Sequence, residues 1–154
     1  MKKFTRREIL KTTVPSSLAI MATPTIIPST AFGANDRLRV AVIGINGRGK
    51  DHISGFMKQE NVEVATLCDV DNVVLKAGAK AFEEKYNKKV SIEEDLRKVY
   101  EDKSIDAVSI ATPNHWHALA AIWACQAGKD VYVEKPLSLT IYEGRVMEIG
   151  RAHV

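Results

Sequence analysis

Four clusters in this chain combine residue types and spacings that could do chemistry. They are the glycines of "VIGINGRG" (42–49), Asp69 in "TLCDVD" (66–71), the histidines of "ATPNHWHALA" (111–120), and the Glu-Lys pair of "VYVEKP" (131–136). His115 and His117 first suggest a metal. At i, i+2, however, their side chains do not share a helix face, and no Cys or third His lies near, so no metal site is expected. His115, Trp116 and Trp123 read as packing residues, and His117 is the histidine kept as a site candidate.

The glycine cluster joins a β-branched run to a helical pattern. In a dinucleotide-binding turn the first Gly allows the tight turn, the second lets the backbone approach the pyrophosphate, and the third lets helix and strand pack closely. The helix N-terminus then offers free N–H groups and a positive dipole end to the phosphates. Gly44, Gly47 and Gly49 stand in this loop, but the strict G-x-G-x-x-G frame falls on Gly44, Asn46 and Gly49. Asn tolerates positive φ, so the turn survives, though its side chain could crowd a phosphate. A frame starting at Gly47 puts His52 in the third place, which is worse. Asp69 follows Gly44 by 25 residues, where an acidic side chain accepts both ribose hydroxyls. Its carboxylate favours NAD and repels the 2′-phosphate of NADP; Arg48 and Asn72 lie near enough in sequence to leave NADP possible.

Strands and helices alternate through the elements that must position these groups. "LRVAVIG" (38–44), "VEVATLCD" (62–69), "KVSI" (89–92), "IDAVSIAT" (105–112) and "DVYVEKP" (130–136) read as strands. Between them, helical faces are expected from Ile53, Phe56 and Met57, from Val74, Ala77, Ala81 and Phe82, and from Leu96, Val99 and Tyr100 behind a Ser91–Glu94 capping box. Leu119, Ile122, Trp123 and Gln126 mark a fourth helix, stopped by Gly128. A Thr140–Glu143 box opens a fifth, with Tyr142, Val146 and Ile149 inward. Such alternation demands a parallel sheet with right-handed crossovers, covered on both faces. The last helix runs out at Val154 with no capping Gly and no sixth strand, so the chain reads as truncated.

The bulk numbers bound the rest. At 154 residues and 45% hydrophobic, the chain has room for one domain. Its +3 charge is local: residues 1–33 hold five Lys/Arg and one acidic residue, which leaves 17 basic and 18 acidic residues elsewhere, so no nucleic-acid partner is expected. Cys68 and Cys125 match no metal or redox spacing and read as buried thiols. Residues 1–33 read as an export signal, with a basic start, a short proline-broken apolar stretch and small residues in "STAFGA". The stretch is too short to span a membrane, which takes about 20 apolar residues. Arg6-Arg7 followed by Glu8-Ile9-Leu10-Lys11 resembles the twin-arginine signal, which implies the twin-arginine export machinery as a partner and a periplasmic location.

"VIGINGRG", "TLCDVD", "ATPNHWH" and "VYVEKPLSLT" occur in that order, each at a strand's C-terminal end, and together they resemble the N-terminal half of the Gfo/Idh/MocA oxidoreductases. The resemblance implies an α/β fold, a Rossmann-type doubly wound parallel sheet over residues 34–154, incomplete before an α+β substrate domain. It implies NAD as cofactor, a sugar or cyclic polyol as substrate, and a homo-oligomer at full length. Carried over by residue, Gly44, Gly47 and Gly49 would line the pyrophosphate and Asp69 would hold the adenosine ribose; Asn46, a departure in the usual small-residue slot, and Arg48 are further cofactor-binding candidates of the same loop. Thr112, Pro113 and Asn114 would pass beneath the dinucleotide with His117 in reach of the nicotinamide, and Glu134 and Lys135 would sit beside it. Lys135 would be the catalytic residue, taking up the hydroxyl proton as hydride leaves the alcohol carbon. A half-buried Lys has its pKa lowered by desolvation and can do this near neutral pH, with Glu134 opposing the depression. Two other readings stand beside this one: a dinucleotide-binding module without turnover, and an inactive gene fragment.

Overall fold

A computed structural model describes residues 37–151, with side chains described to residue 148; the export-signal expectation lies outside these residues. Five strands and five helices alternate: β1 (Leu38–Ile43), α1 (Gly49–Phe56), β2 (Val62–Cys68), α2 (Asn72–Tyr86), β3 (Ser91–Glu93), α3 (Leu96–Glu101), β4 (Ala107–Ile110), α4 (Asn114–Gln126), β5 (Asp130–Val133) and α5 (Ile141–Arg151). Every strand pair is parallel and the sheet order is β3-β2-β1-β4-β5. The chain starts in the middle, winds outward through β2 and β3, then returns to the other side of β1. That reversal places a crevice at the C-terminal ends of β1 and β4, where open α/β sheets bind ligands.

The strand periodicity of two sorts side chains between two cores. From β1, Ala41 and Ile43 enter the core beneath α3 and α4, beside Val108 and Ile110 of β4. Val42 enters the opposite core with Ile45, Ile53, Leu67, Leu75 and Phe82, beneath α1 and α2. The continuous apolar run of β1 follows from this coverage on both faces. Among the described residues no helix is long and apolar enough to cross a membrane.

Several helix faces differ from the sequence expectation. Asp71 caps α2, accepting from the amides of Val73 and Val74, and the buried face is Leu75 and Phe82 with Ala77 and Ala81 exposed. β3 begins at Ser91, so the expected box with Glu94 does not form; Asp95 caps α3 instead by accepting from Arg97 N. α4 buries Ala120, Ala121 and Ala124, leaving Leu119 and Gln126 exposed, because its neighbour comes close enough for the Tyr100 hydroxyl to donate to Ala120 O at 2.9 Å. α4 ends two residues before Gly128, as the sequence indicates. The Thr140–Glu143 box forms reciprocally: Glu143 Oε2 accepts from Leu139 N and Thr140 N, and Glu143 N donates to Thr140 Oγ1. Tyr142, expected inward, is 77% exposed, and Met147 packs on the core in its place. Of the two free cysteines only Cys68 is buried, which pushes its thiol up to about 12; Cys125 is half-buried.

Candidate functional site: a nucleotide cleft at the C-terminal sheet edge

β1 leaves the sheet at Gly44, whose amide donates to Cys68 O at 2.8 Å. Its φ of +84° is a conformation L side chains rarely adopt, and a Cβ there would stand 2.7 Å from the Ala111 carbonyl. Gly49 is constrained differently: a Cβ would fall 2.0 Å from Gly44 O, so only a glycine lets α1 begin against the end of β1. Around Gly47 nothing lies within 4 Å, which leaves open space on the loop surface. The first and third positions of the strict frame are therefore demanded by the fold. Asn46 occupies the second, exposed on the cleft wall. No side chain caps α1, and the amides of Lys50 and Asp51 in its first turn donate to the carbonyls of Gly47 and Arg48 at 3.0 Å, so a ligand at this end meets chiefly the positive end of the helix.

Asp69 follows β2 directly. Its Oδ2 accepts from Ile45 N at 2.9 Å and its Oδ1 from Asp71 N at 3.2 Å, which moors the carboxylate to the glycine loop. Two such bonds leave a carboxylate with further lone pairs for ribose hydroxyls. Neither nearby group suited to a 2′-phosphate is at liberty: Arg48 is held by Glu134 and Asp51, and the Asn72 amide donates to the Glu94 carboxylate.

A cleft of about 980 Å³ runs along this edge, with Gly44, Asn46, Gly47, Asp69, Thr112 and Pro113 on its walls. Its far side is formed by Glu94 to Arg97. His115 and Trp116, expected to pack, stand exposed on the cleft wall because α4 turns only its His117 and alanine face inward; Trp123 both packs on the core and reaches the cleft. Asn114 opens α4 and is exposed. Thr112 Oγ1 is buried without a hydrogen-bond partner among the described residues. An orphaned hydroxyl beside an open cleft, an uncapped helix start and a moored carboxylate together fit a dinucleotide.

His117 is placed otherwise than expected. It is 1% exposed, with Nδ1 at 2.8 Å from Pro136 O and Nε2 at 2.8 Å from Thr112 O. Each ring nitrogen faces a backbone carbonyl, so the ring does not reach toward a ligand. It ties the loop after β4 to the loop after β5. Among the described residues no group of three His, Cys, Asp or Glu could hold a metal.

Glu134 sits at the end of β5 with 15% of its side chain exposed. Its Oε1 accepts from Arg48 Nε at 2.8 Å and faces His52 Nε2 at 2.9 Å, while Oε2 accepts from Lys135 N at 3.2 Å. The Arg48 guanidinium first, and His52 second, hold its carboxyl down at about 2. Lys135 is exposed rather than half-buried: it leaves β5 at the sheet edge, where no described element covers it. His52 and Ser109 were missed by the sequence reading. The available signal was a histidine one helical turn after Arg48 and a single polar residue in "AVSI".

The Gfo/Idh/MocA profile, described as an oxidoreductase family with an NAD-binding Rossmann fold, matches residues 38–148. A glycosyl hydrolase family 109 protein of Shewanella pealeana is 30% identical over 161 positions, which cover 92% of this chain and 35% of that protein. Another from Shewanella baltica is 34% identical over 112 positions, 70% of this chain and 24% of its own length. The chain thus spans about a quarter to a third of these curated relatives. An NAD-binding protein from Listeria innocua superposes with a TM-score of 0.66 at 30% identity, over 75% of this chain and 33% of that one. The WlbA dehydrogenase from Bordetella pertussis, solved with NADH and UDP-GlcNAcA, shares the fold with a TM-score of 0.69 at 24% identity, over 76% and 34%. The chain belongs to the Gfo/Idh/MocA oxidoreductase family, and its residues 38–148 are the NAD-binding Rossmann domain.

Proposed function

We propose that the complete protein transfers a hydride between the nicotinamide and a CH–OH carbon of a sugar or cyclic polyol. The observation that carries this reading is the placement of Glu134-Lys135 at the end of β5, on the sheet edge that also bears the glycine loop and Asp69. Bound NAD supplies the hydride acceptor. The protein's own residues do the rest: Gly44, Gly47 and the start of α1 receive the diphosphate, Asp69 takes the ribose, and Thr112 offers its orphaned hydroxyl to the ligand. Lys135 takes up the proton from the substrate hydroxyl. A module that only binds cofactor has no use for a proton-handling group at that end.

The test is Lys135→Ala in the complete enzyme. Loss of a positioned acid–base group lowers turnover by roughly 10²–10⁴-fold, while NADH affinity stays near wild type. Unchanged turnover removes Lys135 from the mechanism. The glycosyl hydrolase name carried by the relatives favours a second reading, in which the hydride is returned and the net reaction is glycoside hydrolysis. The same assay separates the two: sugar release without net NADH formation supports hydrolysis, and stoichiometric NADH supports oxidation.

A further inference from the structure

We propose that His52 is a positioning residue for the nicotinamide end of the site, acting through Glu134; this rests on the reading that Glu134-Lys135 lies beside the nicotinamide. His52 is one helical turn beyond Arg48, so both side chains leave α1 toward the same carboxylate and meet at one oxygen, Glu134 Oε1. The residue is 8% exposed and its ring is constrained on three sides. Ser109 Oγ lies 2.8 Å from Nδ1, Glu134 Oε1 lies 2.9 Å from Nε2, and the Tyr132 ring meets it edge-on at 5.4 Å and 77°.

The partners assign the ring's protons. The Glu134 carboxylate only accepts, so Nε2 carries hydrogen, and the Ser109 hydroxyl, which can donate or accept, partners Nδ1. Ser109 is fully buried on β4 between Val108 and Ile110, which face the opposite core. An apolar residue would fill that place at no polar cost; a hydroxyl there has His52 as its partner. A chain of contacts thus runs from the central strand β4 through His52 to Glu134, and Glu134 holds both Arg48 of the glycine loop and the amide of Lys135. Glu134 itself is an anchor rather than a free carboxylate, and the direction in which Lys135 leaves the sheet depends on it.

The test compares two ligands that differ only in the nicotinamide, NADH and ADP-ribose, titrated calorimetrically into the full 154-residue chain. His52→Phe removes a hydrogen bond to a charged partner and weakens NADH binding roughly tenfold, with ADP-ribose affinity unchanged. His52→Gln, whose amide N–H reaches the position of Nε2, restores most of the NADH affinity. Ser109→Ala, a milder change that folds even if His52→Phe does not, weakens NADH in the same selective way. Equal weakening of both ligands, or of neither, overturns the role of His52 while the placement of Glu134-Lys135 stands. A wild-type chain that binds NADH no more tightly than ADP-ribose overturns that placement, and the proposal with it.

Discussion

Glu134 collects donors from two elements, Arg48 and His52 at the start of α1 and the amide of Lys135 on its own loop, and its acidity reports that convergence. The carboxyl is held at about 2 against an ordinary 4.5, chiefly by Arg48. A carboxylate with a depressed folded-state pKa stabilises the fold above its unfolded value, and the contribution fades as pH falls through the folded one. The window is therefore from about 4.5 down to about 2. Glu134→Gln titrates nowhere in it, so the difference between the thermal midpoints of wild type and Glu134→Gln shrinks as acid is added across that range. Asp95, held at about 2 by Arg97, titrates in the same window in both proteins and cancels in the comparison. A midpoint difference that stays constant with pH would show that Glu134 is not held by its partners in solution.

The junction of β1 and α1 separates what the fold demands from what a ligand demands. A Cβ on Gly49 meets the Gly44 carbonyl oxygen at 2.0 Å, and backbone cannot step aside as a flexible side chain would. Gly49→Ala therefore destabilises by about 1–3 kcal/mol, as other overpacking changes do, and lowers the thermal midpoint by several degrees. Gly47→Ala, with nothing within 4 Å, leaves the midpoint where it is and weakens NADH binding instead. A fall in midpoint for Gly47→Ala but not Gly49→Ala would reverse the assignment. The same contrast explains what was legible in the sequence. The runs of β1, β2, β4 and β5, the glycine loop, Asp69 and the Thr140–Glu143 box are local patterns and lie where their residues predict, whereas β3 starts two residues later than "KVSI". The buried faces of α2 and α4 are set by partners distant in sequence: Gly78 lies against Ile45, and the alanines of α4 lie under Tyr100. The Arg48–His52–Ser109–Glu134 network was out of reach for the same reason, since its members come from three elements joined only by the sheet order.

That sheet order also decides how ligand and fold stabilise one another. The glycine loop and Asp69 hang from β1 and β2, the Thr112 turn and Glu134-Lys135 from β4 and β5, and the cleft runs between the two windings. Within the described domain, Ala111 N donates to Ile43 O and Glu134 N to Ile110 O, so backbone bonds extend the sheet to its C-terminal edge. A dinucleotide lying there bridges both halves and is bound by the folded state alone. At about 100 times its Kd such a ligand adds about 2.7 kcal/mol to stability. NADPH would meet the moored Asp69 carboxylate with a 2′-phosphate, while Arg48 and Asn72 are already engaged with Glu134, Asp51 and Glu94. NADH is therefore expected to raise the thermal midpoint more than NADPH at equal concentration, and Asp69→Ser to narrow the gap by relieving the charge repulsion. Equal shifts from the two cofactors in the wild-type chain would mean that Asp69 does not choose between them, and a larger shift from NADPH would place a cation at the ribose in solution where the structure has a carboxylate.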